Sequence, residues 1–220
     1  MTGLVERRKM YIPKQFEETN TNVLHRLIQA NPLATLVTFR NGEVEANHIP
    51  LQLASTSEFG VLSGHVARAN TLWMDHPEDR EVLAIFQGAE SYITPSWYAS
   101  KAETGKVVPT WNYITVHARG GLRVIHDPDW ILSQLGALTD HNESGFAHPW
   151  VVSDAPREFT QKLLEAIVGI QIEITDLKGK WKISQNRSQQ DRATVVAGLV
   201  NRGQDEMAEL VHGTLAGDGK

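Results

Sequence analysis

Apolar positions along this chain alternate between two periods. Val23, Leu24, Leu27 and Ile28 recur at helical spacing behind Asn20 and Thr21, either of which can cap a helix running through Gln29 and stopped by Asn31-Pro32. The pattern then changes to strands. Leu33 to Phe39 reads as one strand, Asn41-Gly42 as a hairpin turn and Val44 to Leu53 as the return strand. Gly60 to Gly64 is a third strand and Arg68 to Met74 a short helix. Glu81 to Gln87 is a fourth strand whose unbroken apolar run suits burial on both faces, and Ser91-Tyr92-Ile93 a short continuation. Val107 to His117 and Gly121 to Ile125 read as a pair of strands around a Gly120-Gly121 bend or bulge.

Asp127 as cap and Pro128 at the first helical position open a helix from Asp129 to about Thr139, and a His-, Gly- and Pro-containing loop follows from Asp140 to Trp150. Ser153 to Pro156 opens a helix through about Val168, Gly169 to Ile174 alternates as a final strand, and Gln189 to Val200 and Asp205 to Val211 are helical around Arg202-Gly203. This order predicts a mainly β protein with peripheral helices, an antiparallel barrel. Residues 1–9 read as a tail, 10–187 as the barrel domain and 188–220 as a helical extension.

Composition narrows the classes. Of the 220 residues 41% are hydrophobic and 21% charged, enough to bury a substantial core. A formal net charge of -5 gives no general attraction to a polyanion, so direct DNA binding is doubtful. With zero cysteines there is no disulfide, thiolate metal site or cysteine nucleophile, which suits a reducing cytoplasm. The charged start, Glu6 to Lys9, lacks a following apolar stretch of signal-peptide length, and no segment approaches the ~20 apolar residues that span a bilayer. The expectation is a cytoplasmic protein without a membrane anchor.

The richest candidate chemistry is Gly64-His65-Val66-Ala67-Arg68-Ala69-Asn70. A strand ending in a His and an Arg and turning into a helix start gathers cationic donors and free N–H groups where a phosphate can sit. The plain alternative is a surface turn with Arg68 solvated and Asn70 as a cap. Four further polar and aromatic clusters accompany it: Glu45 to Pro50, Phe86-Gln87-Gly88, Pro109 to Tyr113 and Lys180 to Arg187. Together they suit flavin mononucleotide (FMN), a flat ring with amide-like edges and a phosphate tail. Asn47, Gln87 or Asn112 can meet the ring carbonyls, Trp111 can wall the ring, and Lys182, Gln185 and Arg187 can close over it. Against this stand Trp111 as core, Gln87 as an exposed strand end and Lys180-Trp181-Lys182 as a solvated edge strand.

Seven ordered segments carry a resemblance: Met10 to Pro13, Asn47 to Pro50, Gly64 to Asn70, Ser96-Trp97-Tyr98 with Lys101, Val108 to Tyr113, Val168-Gly169-Ile170 and Lys182 to Arg187. They resemble the signature segments of PaiB-type FMN-binding transcriptional regulators, from Met10 to about Leu199. The resemblance implies an FMN-binding split β-barrel related to pyridoxamine-phosphate oxidases, and a homodimer with flavin sites at its interface. It implies phosphate near His65, Ala67, Arg68 and Asn70, the ring along Asn47, His48 and Ile49, and a contribution from Trp181 to Arg187.

Three functional readings follow. The family name implies repression of genes, yet the one helix-turn-helix candidate, 189–211, has a second helix with Asp205, Glu206 and Glu209 and no Lys or Arg. A flavin-dependent oxidoreductase is the alternative, with His48, His65 and His117 as proton carriers or as structural histidines. A flavin sensor acting through partners is the third. His141 and His148 are unspecific heme-ligand candidates, and no metal site is expected.

Overall fold

The computed structural model describes residues 10–40, 42–74 and 81–217. Eight strands form one antiparallel sheet: β1 (Glu17–Glu18), β2 (Leu33–Arg40), β3 (Glu43–Pro50), β4 (Gln52–Ala54), β5 (Val61–Ala67), β6 (Glu81–Ile93), β7 (Thr110–Ile125) and β8 (Ile167–Lys182). Their order is β3-β2-β6-β7-β8-β5-β4, with β1 paired to β8, so β3 and β4 end the path. The helices are α1 (Thr21–Ala30), α2 (Ser100–Thr104), α3 (Pro128–Glu143), α4 (Arg157–Glu165), α5 (Gln189–Val200) and α6 (Asp205–Gly213).

The chain divides into two compact units. The first comprises Met1–Leu24, Gln87–Val116 and Lys178–Lys220; the second comprises His25–Phe86 and His117–Leu177. The strands β6, β7 and β8 each contribute residues to both. In the second unit the core is mostly aliphatic, with Ile28, Leu36, Leu62, Leu122, Ile131, Ile170 and Ile172 almost wholly buried beside one aromatic, Phe86. In the first, Ile93, Ile114 and Trp181 on strands and Val195, Leu199, Met207 and Val211 on the C-terminal helices are the buried residues.

Sequence reading placed the elements and misjudged several lengths. The two strands expected around Gly120-Gly121 are the single strand β7. Gly120 is needed for closeness, not for a bend, because a Cβ there would stand 1.9 Å from the Glu173 carbonyl oxygen of β8. The runs expected at Glu81–Gln87 and Ser91–Ile93 are likewise one strand, and its first half alternates buried and half-buried positions instead of burying both faces. The final strand does not stop at Ile174. Leu177, Gly179 and Trp181 stay buried while Lys178, Lys180 and Lys182 alternate with them, so the lysine-rich segment continues β8, and Lys180 pairs with Glu17 of β1 instead of forming an edge.

The return strand ends at Pro50, and Leu51 separates it from β4. The helix expected over Arg68 to Met74 is only a 3-10 turn, Thr71–Trp73, capped by Asn70 Oδ1, which accepts from the Leu72 N–H at 2.9 Å. Asp127 caps α3 as expected, but the helix runs on into the expected loop, to Glu143. The helix α4 ends at Glu165, because Val168 already belongs to β8. Gly42 has φ +88°, as a tight hairpin needs, while its neighbour Asn41 lies outside the described residues, as does the expected 1–9 tail.

Two glycines test this packing in opposite directions. Gly120→Ala should destabilise the protein by about 3 kcal/mol or more, since the obstacle is backbone. Gly136→Ala, in α3 with nothing within 4 Å of its added Cβ, should stabilise by about 0.5–1 kcal/mol. Thermal unfolding followed by circular dichroism should show Tm falling for the first and rising for the second.

Candidate functional site

The expected residues fall into two groups, one in each unit. In the second unit, alternation along β2 puts Leu36, Thr38 and Arg40 on one face, and the register sets Asn47 against Leu36 and Glu45 against Thr38. Asn70 Nδ2 donates to Asn47 Oδ1 at 2.8 Å, tying β3 to the 3-10 turn. Arg40 Nη2 donates to Glu45 Oε1 at 2.7 Å and to Thr71 Oγ1 at 2.8 Å. Beside these bonds, Arg40 Nε and Thr38 Oγ1 are buried and have no hydrogen-bond partner. A buried polar group without a partner costs about 1–3 kcal/mol, so two together mark a place where an incoming acceptor or donor is favoured. Sequence reading missed both residues. Their signal is a Thr and an Arg continuing the core-facing alternation of Ala34 and Leu36, where apolar residues are the norm.

Arg68 is exposed. Its Nε donates to the Glu165 carbonyl at 2.7 Å and its Nη2 to the Ile167 carbonyl at 3.0 Å, while its guanidinium lies 5.9 Å from the Trp73 ring centroid. These carbonyls terminate α4 and begin β8, so Arg68 clamps that junction without losing its charge. The helix N-terminus expected next to it is absent as a source of dipole, because a three-residue turn has none to speak of. His65 Nδ1 donates to Gln134 Oε1 at 2.9 Å. Ala67 is exposed at the end of β5, and its carbonyl accepts from Asn70 N–H at 2.8 Å. Ile49 is in the core at 4% exposure, whereas His48 is exposed on the other face of β3.

In the first unit Trp111 is not core: it is 52% exposed and meets Tyr92, itself 46% exposed, edge to face at 5.9 Å between centroids. Lys182 Nζ donates to the Trp111 carbonyl at 2.6 Å and to Thr110 Oγ1. Burial pushes the Lys182 pKa below the ordinary lysine value, and the positive charges of Lys180 and Arg187 push the same way. An amine so placed gains by meeting an anion.

Other members of this group hold the fold. Asn112 is buried at 1% exposure, and its Nδ2 donates to Ser184 Oγ at 2.9 Å. Gln185 closes the turn after β8: its Oε1 accepts from Ile183 N–H at 2.8 Å and its Nε2 donates to the Trp181 carbonyl at 2.5 Å. Arg187 lies 4.6 Å from the Tyr98 ring centroid. Burial raises the Tyr98 pKa, and Arg187 opposes that rise. Asp191 accepts from Ser100 N–H at 2.9 Å and Ser100 Oγ at 2.8 Å. Burial drives its carboxyl up, but the Ser100 bonds, Ser188 and the Arg187 charge together hold it below the usual range. Gln87 is exposed within β6, its Nε2 at 3.5 Å from Glu90 Oε2.

The donor chemistry fits FMN. Within the second unit, ring carbonyls need donors such as Arg40 Nε, whose charge Glu45 already balances, and the phosphate needs an uncancelled cation such as Arg68. Among the described residues no group of three or more His, Cys, Asp or Glu is arranged to hold a metal ion, and no helix is long and apolar enough to cross a membrane.

Comparison with known proteins agrees with this chemistry. The family model described as "Putative FMN-binding domain" matches residues 10–176. The chain is 32% identical over 209 residues to the protease synthase and sporulation protein PAI 2 of Bacillus subtilis, covering 94% of this chain and 98% of that protein. It is 34% identical to an uncharacterised protein of Emericella nidulans, covering 89% and 92%. Among solved structures, a FAD and heme binding protein from Mycobacterium smegmatis shares the fold with a TM-score of 0.56 at 20% identity, over 76% of this chain and 73% of that one. Sheet order, donor set and these likenesses converge: the chain belongs to the PaiB-type family of FMN-binding split-barrel proteins.

Proposed function

We propose that the chain is a flavin-dependent sensor of the PaiB type, a negative regulator whose output passes through bound FMN and through partners, not through DNA contact of its own. The observation that carries the flavin assignment is the buried, partnerless Arg40 Nε beside the Asn47–Asn70 pair. In this reading Asn47, Asn70 and Arg40 meet neutral acceptors of the ring, and Arg68 meets phosphate, with His65 and Ala67 setting the backbone around it. The first unit by itself is a second candidate group, in which Trp111 offers an apolar wall and Lys182 a cation, and Gln185, Asn112 and Arg187 hold the turn that presents Lys182. Gln87, His48 and Ile49 are weaker contributors, one exposed, one on the opposite strand face and one in the core. FMN supplies redox and optical chemistry when bound; the chain's own residues bind and orient it.

The homodimer belongs to this proposal. Leu33, Phe39 and Val44 are 61%, 50% and 71% exposed, and the register of β2 with β3 puts Phe39 and Val44 side by side. Apolar groups gathered on one sheet face next to an end strand are what a second copy covers. The doubt about direct DNA binding rests on α6, whose first turn carries Asp205 and Glu206 and whose buried face is Met207, Ala208 and Val211. Those carboxylates suit a helix N-terminus and repel phosphate.

Titration of the purified protein with FMN, followed by flavin fluorescence, tests the assignment. Arg68→Ala and Arg40→Gln should each weaken binding about tenfold or more, the worth of one charge-assisted hydrogen bond, with Tm reporting any loss of fold. Unchanged affinity in both would remove this group from the flavin site.

Affinity should also fall as pH rises, beginning below the ordinary lysine value of about 10.4, because Lys182 loses its proton early in the free protein. Lys182→Met should bind more weakly at neutral pH and lose that alkaline limb; a wild-type limb that persists in the variant assigns it elsewhere. In electrophoretic mobility shifts, with and without FMN, the purified protein should give no salt-sensitive, sequence-specific complex with its own promoter DNA.

A further inference from the structure

Within the second unit, a cleft of about 340 Å³ lies between the β4–β5 pair and α3, lined chiefly by Gln52, Leu53, Ser63, Trp130, Gln134 and Ala137. Gln52 and Ser63 stand opposite one another in register, and Trp130, Gln134 and Ala137 recur at helical spacing on α3. The apolar wall is tightly packed. A Cβ on Gly169 would come within 2.6 Å of the Trp130 ring, so the glycine in β8 is what lets the indole approach the strand so closely.

The polar groups are few and neutral. Gln134 is 7% exposed; its Oε1 accepts from His65 Nδ1 at 2.9 Å, which fixes the amide, and its Nε2 is buried with no partner. Gln52 Nε2 donates to the Ala137 carbonyl at 3.0 Å, which leaves Gln52 Oε1 as an acceptor at the rim. No lining residue is an acid, a base or a histidine. The volume sits at the small end of ligand pockets, and an apolar wall with a few placed polar atoms is their usual make-up.

We propose that this cleft binds a small, uncharged, planar molecule with a carboxamide or lactam edge. The ligand ring lies against Trp130 and Leu53, its carbonyl accepts from Gln134 Nε2, and its N–H donates to Gln52 Oε1. A small shift of the Gln134 side chain brings Nε2 to the ligand while His65 holds the other end of the amide. None of the lining residues is among those assigned to FMN, so this site stands or falls by itself.

Benzamide is the probe, titrated into the full chain by calorimetry, with benzoate and benzylamine as charged analogues of the same shape. Gln134→Leu removes the amide at similar volume, and Ala137→Trp fills the cleft from an exposed position; near-ultraviolet circular dichroism of each variant checks the fold. Benzamide should bind with a millimolar dissociation constant, about tenfold tighter than either charged analogue, and each variant should weaken it about fivefold or more. No binding of benzamide to the wild-type protein, equal binding of the charged analogues, or unchanged affinity in a folded variant would overturn the proposal. Each of these readings is independent of whether FMN is bound.

Discussion

The close approach of β7 to β8 is the constraint on which the structure rests. With 1.9 Å between a hypothetical Gly120 Cβ and the Glu173 carbonyl, no other residue fits there without moving backbone. From that contact β8 reaches in two directions. Its first half pairs with β5, Ala67 opposite Ile167 through Val61 opposite Glu173, and its last residues pair with β1. The β5 pairing ends where Arg68 bonds the Glu165 and Ile167 carbonyls, so the position of one candidate phosphate ligand follows from the register of a structural strand. In the other unit the same strand ends in Lys182, whose amine is fixed on Thr110 and Trp111.

Local chemistry was easy to read and long-range pairing was not. Asp127 before Pro128, Asn70 before Thr71 and Gly203 between two helices each announce a boundary through the backbone groups they satisfy or the dihedral they permit, and each does so in the structure. Strand lengths depend on partners. Lys180-Trp181-Lys182 reads as a solvated edge strand until the burial of Gly179 and Trp181 on the opposite face is known, and Gly120-Gly121 as a bend or bulge until the neighbouring carbonyl is in place. The candidate site divides in the same way. Arg68 and Lys182 are recognisable by charge, but Asn112 is identified as a buried partner of Ser184 only by the fold, and Arg40 with Thr38 becomes conspicuous only once β2 and β3 are in register. An arginine at a strand end is common, and what singles it out is a buried N–H with no acceptor.

The cations of this protein differ in how far their charge is already spent. Arg40 faces Glu45 at 2.7 Å, so its pair is nearly neutral and suits a neutral acceptor. Arg68 is bound by carbonyls, which carry dipoles and no net charge, so it keeps its attraction for an anion. Lys182 is raised in energy by burial and by Lys180 and Arg187, and an anion relieves all three effects together. Within the second unit the proposed flavin site has both kinds of cation, Arg40 for a neutral polar edge and Arg68 for a charged tail.

The same bookkeeping bears on regulation. In α6 the carboxylates of Asp205 and Glu206 lie in the first turn, where they stabilise the helix, and the face that packs is apolar. Moving that end toward DNA would set two stabilising charges against phosphate and return nothing in hydrogen bonds to bases, since the first turn has no basic group to offer. That charge placement is what supports the proposed absence of DNA contact through α5 and α6. The proposed regulator then expresses its flavin state through surfaces other than this helix pair, and the exposed apolar residues of the β2–β3 face are one such surface.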